Sequence, residues 1–115
     1  MSTDMWYPLV PSQHLRSGDN IVAGFLPGQE VALWRSEGGT VQAWENRCPH
    51  RGVRLTLGRI HNDRLSCAYH GWEYSADTGR CAAIPAHPAM PVPKQVGVRT
   101  FAATEADGMV WVRHG

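Results

Sequence analysis

The sequence predicts an all-β fold in which small antiparallel sheets form a sandwich. Twelve glycines and eight prolines interrupt a chain of 115 residues too often for long helices. Between residues 31 and 44, apolar side chains alternate with their neighbours at a period of two, which is typical of strands with one face turned inward. Three such strands in a meander are enough to begin a small sheet.

The length and charge of the chain set further bounds. A chain of 115 residues is expected to form one small domain, over residues 1–115. Eleven basic and ten acidic residues give a formal net charge of +1, so no overall field attracts nucleic acid. The N-terminus lacks the basic and apolar regions of a signal peptide, and no apolar run is long enough to span a membrane. We therefore expect a cytoplasmic protein that binds neither nucleic acid nor membrane.

The N-terminal half begins with a strand predicted over Trp6–Val10. Pro8 has no N–H to offer a neighbouring strand, which confines this strand to the edge of a sheet. Ser12 is expected to cap a single helical turn that ends near Gly18. Further strands are predicted over Ile21–Leu26, Glu30–Trp34 and Val41–Glu45, with turns at Pro27-Gly28 and at residues 37–39.

The C-terminal half contains turn signals at Asn62-Asp63 and at residues 77–79. The chain is expected to close with a hairpin across Asp107-Gly108, a turn pair that this connection favours. The strand-like runs of this half are Arg64–Cys67, Arg80–Ile84, Val96–Phe101 and Met109–Val112, and the last two form the hairpin.

Two short stretches near the middle of the chain each offer one thiol and one imidazole. Residues 48–52 read C-P-H-R-G, and residues 67–71 read C-A-Y-H-G. A glycine closes each stretch, where a loop wrapped around an inorganic core needs a tight turn without a Cβ atom. Leu55 and Leu57 are expected to tether the first of these loops to the core.

The grouping of these side chains indicates two metal ions rather than one. A zinc finger usually pairs cysteine with cysteine and histidine with histidine around a single ion. Here Cys48 is grouped with His50, and Cys67 with His70, which suits thiolates on one iron and imidazoles on the other. Two histidines replace two cysteines in this way in a Rieske 2Fe–2S centre. A single zinc ion held by the same residues is the alternative, and Cys81 is expected to be a small buried hydrophobe.

At these residues the chain resembles the Rieske family, whose C-x-H…C-x-x-H signature it matches in full. The stretches W-Y-P-L-V-P, I-P-A and G-M-V-W-V extend the resemblance to the N-terminal Rieske domain of ring-hydroxylating and demethylating non-haem iron oxygenases. The resemblance implies a Rieske-type fold, with a two-loop cluster-binding subdomain inserted over about residues 46–84. It also implies a 2Fe–2S cluster with the ligands Cys48, His50, Cys67 and His70, surrounded by Arg51, Gly52, Tyr69, Gly71, Trp72 and Tyr74.

The same resemblance predicts the range of the reduction potential. In respiratory-chain relatives, cysteines of both loops form a disulfide beside the cluster, and the corresponding positions here hold Val53 and Tyr69. Those relatives carry a serine where this chain has Trp72, whose indole N–H cannot replace that hydroxyl. Tyr74 stands where their tyrosine donates to a ligand thiolate. With one donor kept and one lost, we expect a potential in the lower half of about −150 to +300 mV.

The resemblance implies an electron-transfer role. The chain would take single electrons from a reductase or ferredoxin and pass them to a Rieske oxygenase, performing no substrate chemistry itself. No mononuclear iron site is expected, because the histidines outside the motif are scattered and offer no two-histidine, one-carboxylate set. Two alternatives stay open: an excised N-terminal domain of an oxygenase large subunit without its catalytic domain, and a structural zinc-binding module. The scattered histidines are His14, His61, His87 and His114.

Five arginines in and near the first loop allow two interpretations. The stretch from residue 46 to residue 72 contains one acid, Asp63. One interpretation is a basic surface that docks an acidic redox partner. The other is an ordinary role, in which the guanidinium groups bond loop carbonyls in support of the fold or lie on a solvated surface, and the sequence leaves both interpretations open. The five are Arg47, Arg51, Arg54, Arg59 and Arg64.

Overall fold

Strands of the chain form three antiparallel sheets in the computed structural model, which describes residues 5–49, 52–68, 71–85, 88–89, 91–93 and 95–114. The terminal sheet has the order β1-β10-β9, with β1 at Trp6–Pro11, β9 at Ala102–Ala106 and β10 at Met109–Arg113. The central sheet contains β2 at Ile21–Leu26, β3 at Gln29–Arg35 and β4 at Val41–Glu45. The loop sheet contains β5 at Arg59–His61, β6 at Arg64–Ser66, β7 at Glu73–Ser75 and β8 at Cys81–Ala83. This architecture confirms the predicted all-β fold.

The central sheet is buried on both faces. Val31 and Leu33 of β3 pack into a first core, which is shared with the terminal sheet. Ala32 and Trp34 pack into a second core, which is shared with the loop sheet. All four side chains are 0 % exposed. The prediction of a single inward face is therefore too narrow for this strand, because a layer covers each side of it.

The first strand lies at the edge of the terminal sheet, as Pro8 predicted. Its register with β10 shifts between Pro8 and Val10, so the proline accompanies an irregularity in the ladder. The next turn, Ser12–His14, is a 3-10 helix with Pro11 as N-cap and no side-chain cap. The predicted capping by Ser12 is wrong, because Ser12 is already the first residue of the turn. The second 3-10 turn is Leu55–Leu57, and no helix in the described part of the chain is long and apolar enough to cross a membrane.

Arg35 of β3 joins the central sheet to three other parts of the scaffold. Its guanidinium donates to both carboxylate oxygens of Glu105 on β9, at 2.7 and 3.0 Å. It also donates to the carbonyls of Leu15, Ser12 and Gly39, at 2.9, 3.2 and 2.8 Å. These bonds fix the central sheet against the terminal sheet beside the first core.

The chain ends in the predicted hairpin, but its first strand is β9 and not Val96–Phe101. Residues 96–101 run between sheets instead. Val98 donates its backbone N–H to Gly79 at 2.8 Å, whereas Phe101 donates to Ala43 of β4 at 2.8 Å. Because Val98 enters the second core and Phe101 the first, the segment connects the two cores rather than pairing with β10.

The loop sheet contains two strands that the sequence did not predict, β5 and β7. Strand β5 pairs with β6 across Asn62 and Asp63, which both have positive φ (50° and 58°). Its three residues include one apolar side chain, Ile60, which is too short a pattern to reveal a strand. The loop sheet lies inside the insert predicted for residues 46–84. The bounds of that insert and of the single domain stay predictions.

Candidate functional site

The first loop leaves β4 and closes around Cys48 through two backbone hydrogen bonds. The Cys48 N–H donates to the Val53 carbonyl at 2.7 Å, and the Gly52 N–H donates to the Cys48 carbonyl at 2.7 Å. Gly52 has a φ of +73°, in the left-handed region that glycine adopts without strain. A Cβ added at this residue would meet no atom within 4 Å, so the backbone angle alone requires glycine.

The second loop repeats this turn around Cys67. The Cys67 N–H donates to the Trp72 carbonyl at 2.8 Å, and the Gly71 N–H donates to the Cys67 carbonyl at 3.2 Å. Gly71 has a φ of +68°. Both loops therefore have the same backbone arrangement: the N–H of the cysteine donates to the carbonyl of the residue five positions later.

Asn46 and Leu55 hold the two ends of the first loop. The Asn46 side chain donates to Glu30 at 3.1 Å and to the Thr56 hydroxyl at 3.2 Å, and it accepts from the Thr56 N–H at 3.0 Å. Leu55 is fully buried, whereas Leu57 is 67 % exposed, so the predicted tether is Leu55 alone. Asn46 was not predicted as a site residue, and its signal in the sequence is its place two residues before the first cysteine.

The second loop is the connection of a hairpin. Strands β6 and β7 pair up to Ser66 and Glu73, on either side of the loop. Arg64 donates to Glu73 at 3.1 Å and closes the hairpin with an ion pair. Gly58 lies so close to the Ser66 carbonyl that an added Cβ would collide with it. This contact seats the hairpin directly on the turn that ends the first loop.

Tyr74 brings a phenol to the first thiol within the second core. Its hydroxyl lies 3.2 Å from Cys48 Sγ, and both residues are fully buried. Burial, with a further contribution from the Cys48 contact, raises the pKa of Tyr74 far above its ordinary value, so the phenol keeps its proton and can donate a hydrogen bond to the sulfur. Cys67 is 2 % exposed in the same core. Cys81, cross-strand from Tyr74, is the predicted buried hydrophobe, and burial raises the pKa of its thiol.

The described donors fit an iron–sulfur cluster. The chain's three cysteines are all described and none forms a disulfide, so Cys48 and Cys67 both keep a sulfur that can bind metal. Trp34 is fully buried in the same core, and its indole N–H has no hydrogen-bond partner among the described residues. An unpaired buried donor costs about 1–3 kcal/mol, so a group that brings acceptor atoms into this core would be stabilised.

The structure locates one half of the predicted ligand set and part of its surroundings. Cys48 and Cys67 enter one core together with Tyr74, whose hydroxyl contacts Cys48. Gly52 and Gly71 close the two turns, and the Trp72 carbonyl accepts from Cys67. The remaining predicted site residues lie outside the described part of the chain. They are His50, Arg51, Tyr69 and His70.

Three of the four histidines outside the motif lie in the described part of the chain. His14 and His61 are exposed. His114 is half-buried, 3.1 Å from the Pro27 carbonyl, and His87 lies outside the described residues.

The arginines of the first loop region divide into two kinds. Arg54 donates to Glu30 at 2.7 Å, and Arg64 is the partner of Glu73 described above, so both support the fold. Arg47 and Arg59 are exposed and form no ion pair with a described residue. The structure thus supports the fold-support interpretation for two of the arginines and leaves two cations on the surface.

The sequence of this chain recurs as part of larger proteins. The family model of the Rieske [2Fe-2S] domain matches residues 5–102. The chain is 43 % identical over 115 residues to oxidoreductase NdmD of Pseudomonas putida. That match covers 100 % of this chain and 19 % of that protein. It is 36 % identical over 113 residues to the oxygenase subunit of 3-chlorobenzoate-3,4-dioxygenase of Comamonas testosteroni. That match covers 97 % of this chain and 26 % of that protein. The chain therefore covers about a fifth to a quarter of these curated relatives.

The fold also recurs in a solved structure. The structure of NdmA from Pseudomonas putida CBB5 superposes with a TM-score of 0.88 at 30 % identity, over 98 % of this chain and 35 % of that one. At this similarity, the matching third of that structure and the present chain share one architecture.

Proposed function

This chain belongs to the Rieske [2Fe-2S] domain family, and we propose that it carries single electrons from a reductase or ferredoxin to a Rieske non-haem iron oxygenase. The resemblance to the Rieske domains of such oxygenases is confirmed by the relatives in sequence and fold. A domain of this family holds a 2Fe–2S cluster, which supplies a one-electron couple when bound.

We propose Cys48, His50, Cys67 and His70 as the residues that hold the cluster. The repeated turn of the two loops supports this proposal, because it presents two thiols in equivalent settings within one core. Two thiolates and two imidazoles are the ligand set of a Rieske centre.

The residues around the ligands have separate tasks. The Tyr74 hydroxyl donates a hydrogen bond to Cys48 Sγ, which favours the charged thiolate over the neutral thiol. The second core excludes water from both sulfurs, because Cys48 and Cys67 are at most 2 % exposed. Asn46 and Leu55 keep the first loop closed.

The redox partners belong to the proposal as well. Oxidoreductase NdmD and the 3-chlorobenzoate dioxygenase subunit carry a similar sequence within longer chains. They support a reductase or ferredoxin as electron donor and an oxygenase as acceptor. A cytoplasmic location stays a prediction from the sequence.

Metal and sulfide analysis of the purified chain tests the proposal. We expect two irons and two acid-labile sulfides per chain, a red-brown colour and an electron spin resonance signal after reduction. Replacing Cys48 or Cys67 by serine is expected to abolish this signal. A colourless protein with one zinc ion per chain would instead show that the chain is a structural zinc-binding module.

Cys81 provides the matched control for these variants. It is buried like the two proposed ligands but lies on β8 and outside both loops. Cys81→Ala is expected to keep full iron and sulfide content. Loss of the cluster in Cys81→Ala and its retention in Cys67→Ser would overturn the ligand assignment.

A further inference from the structure

Leu57 is an exposed apolar side chain on an otherwise buried turn. It is 67 % exposed, whereas Leu55, two residues earlier in the same 3-10 turn, is 0 % exposed. A single exposed leucine needs no explanation by itself. The position of Leu57 is informative, because this residue lines two clefts, one reaching the first loop and the other reaching the second loop.

The first cleft leads from Leu57 to the first loop. It has a volume of about 650 Å³. Arg47 and Arg54 line it together with Glu30 and Glu45, so its charges balance. Arg54 is moreover already paired with Glu30. This cleft offers a charged partner surface no net attraction.

The second cleft leads from Leu57 to the second loop. It has a volume of about 380 Å³, and Cys67, Ala68 and Gly71 of the second loop line it. Arg59 is the one charged residue among its described lining residues. Because Arg59 is exposed and has no ion pair with a described residue, its charge is available to a partner.

From this arrangement we infer that an acidic electron-carrier protein docks on Leu57 and the second cleft, with a carboxylate on Arg59. The inference rests on the proposed electron-transfer function. An apolar centre with a charged rim is the usual composition of a transient interface, and the rim charge raises the association rate. A partner seated here reaches the second loop, whereas Phe25, equally exposed at 67 %, lines neither cleft. The charge of Arg59, unpaired among the described residues, therefore directs an acidic partner to the second cleft.

The test uses the cluster-loaded full chain and a reduced plant-type [2Fe–2S] ferredoxin, whose potential lies below that of Rieske centres. In the measured step the ferredoxin loses one electron and the Rieske cluster gains it. Stopped-flow absorption gives the second-order rate constant. We expect Leu57→Ser to lower it about fivefold, the equivalent of about 1 kcal/mol. Arg59→Gln is expected to lower it about threefold at low salt and to reduce its dependence on salt.

Two variants serve as controls. Met5→Ser removes another exposed apolar side chain, 53 % exposed, next to the terminal sheet. Phe25→Ser removes one next to the first cleft. Both are expected to keep the wild-type rate constant, and all variants to keep the wild-type potential and reduction by dithionite.

The remaining outcomes decide against the inference. A rate constant that falls in Phe25→Ser but not in Leu57→Ser would place the partner on β2 and not on the second cleft. A wild-type chain that dithionite reduces but the acidic ferredoxin does not would overturn the acidic partner and leave the electron-transfer function standing. A chain that dithionite does not reduce would overturn that function itself.

Discussion

At the scale of single residues, the contact between Tyr74 and Cys48 defines the electrostatics of the first thiol. The phenol is fully buried, and its raised pKa keeps the hydroxyl protonated. A hydroxyl that donates to a sulfur stabilises negative charge there. Since reduction adds negative charge to a cluster, this donor favours the reduced state.

Tyr74→Phe is therefore expected to lower the midpoint potential. If the bond is worth about 1 kcal/mol more in the reduced state, the potential falls by about 40 mV for a one-electron couple. Protein-film voltammetry measures the change. Tyr7→Phe, a tyrosine packed against the first core, is the control and is expected to leave the potential unchanged. An equal shift in both variants would remove the role assigned to Tyr74.

Residues with unusual chemistry were predictable from the sequence, and residues with ordinary chemistry were not. Cys48, Cys67 and Tyr74 stand in a motif whose spacing has few other uses. Asn46 closes the first loop through common side-chain bonds that any surface asparagine can form. Trp34 appeared only as a member of a strand, because nothing in sequence shows that an indole N–H will be left without a partner.

At the scale of elements, the two loops share one turn although their sequences differ. The glycine in each has positive φ, so its left-handed backbone is a requirement common to both. A similar angle occurs at Gly28 in the β2–β3 turn and at Gly79 before β8. Alanine at Gly28 or Gly52 would strain only the backbone angle, whereas alanine at Gly79 would also bring its Cβ into collision with the Val98 carbonyl.

Alanine at these glycines is expected to destabilise the chain to different extents. Gly28→Ala and Gly52→Ala should each lower the free energy of unfolding by about 1 kcal/mol, because only the angle is strained. Gly79→Ala should cost more than about 2 kcal/mol, since its Cβ would lie 2.7 Å from the Val98 carbonyl. Chemical denaturation measures all three.

Cluster content distinguishes the first two variants. Gly28→Ala is expected to bind iron like the wild type, whereas Gly52→Ala should bind less iron because the strained turn holds Cys48, a proposed ligand. Equal iron in both would show that the loop tolerates the strain.

The elements themselves were predictable where hydrophobic pattern and turn residues agreed. Strand β4 has the predicted bounds, Val41–Glu45, because turn residues precede it and alternation runs through it. The segment Val96–Phe101 has the composition of a strand, yet it spans two cores, and composition does not reveal which neighbour a strand will pair with. Leu57 was expected to be buried like Leu55 because both are apolar. It is exposed, since this three-residue turn buries only one of its two leucines.

At the scale of the whole molecule, the ion pair of Arg35 and Glu105 joins the central and terminal sheets. Hydrogen bonding to Arg35 lowers the pKa of Glu105, and the Glu105 bond raises the pKa of Arg35. A carboxylate whose folded pKa is lowered contributes stability above its ordinary pKa of about 4.3 and loses it as pH falls through the lower folded value.

Glu105→Gln is expected to lower the free energy of unfolding by about 1 kcal/mol at neutral pH, because the partly exposed pair is partly screened. The difference from the wild type should shrink below about pH 4.3, as the wild-type carboxylate becomes protonated. Asp19→Asn, in an ion pair that is 70 % and 58 % exposed, is the control and should have no measurable effect. A difference that grows on acidification would contradict the sign.

The burial of β3 on both sides has a consequence for engineering. Trimming the last two strands would remove Val110 and Val112 from the first core and leave the apolar side chains of Val31 and Leu33 less well covered. Polar residues at Val31 or Leu33 would also disturb the strand that carries Trp34 in the second core. One face of β3 therefore supports the terminal sheet, and its other face packs in the core that contains both cysteines of the proposed cluster site.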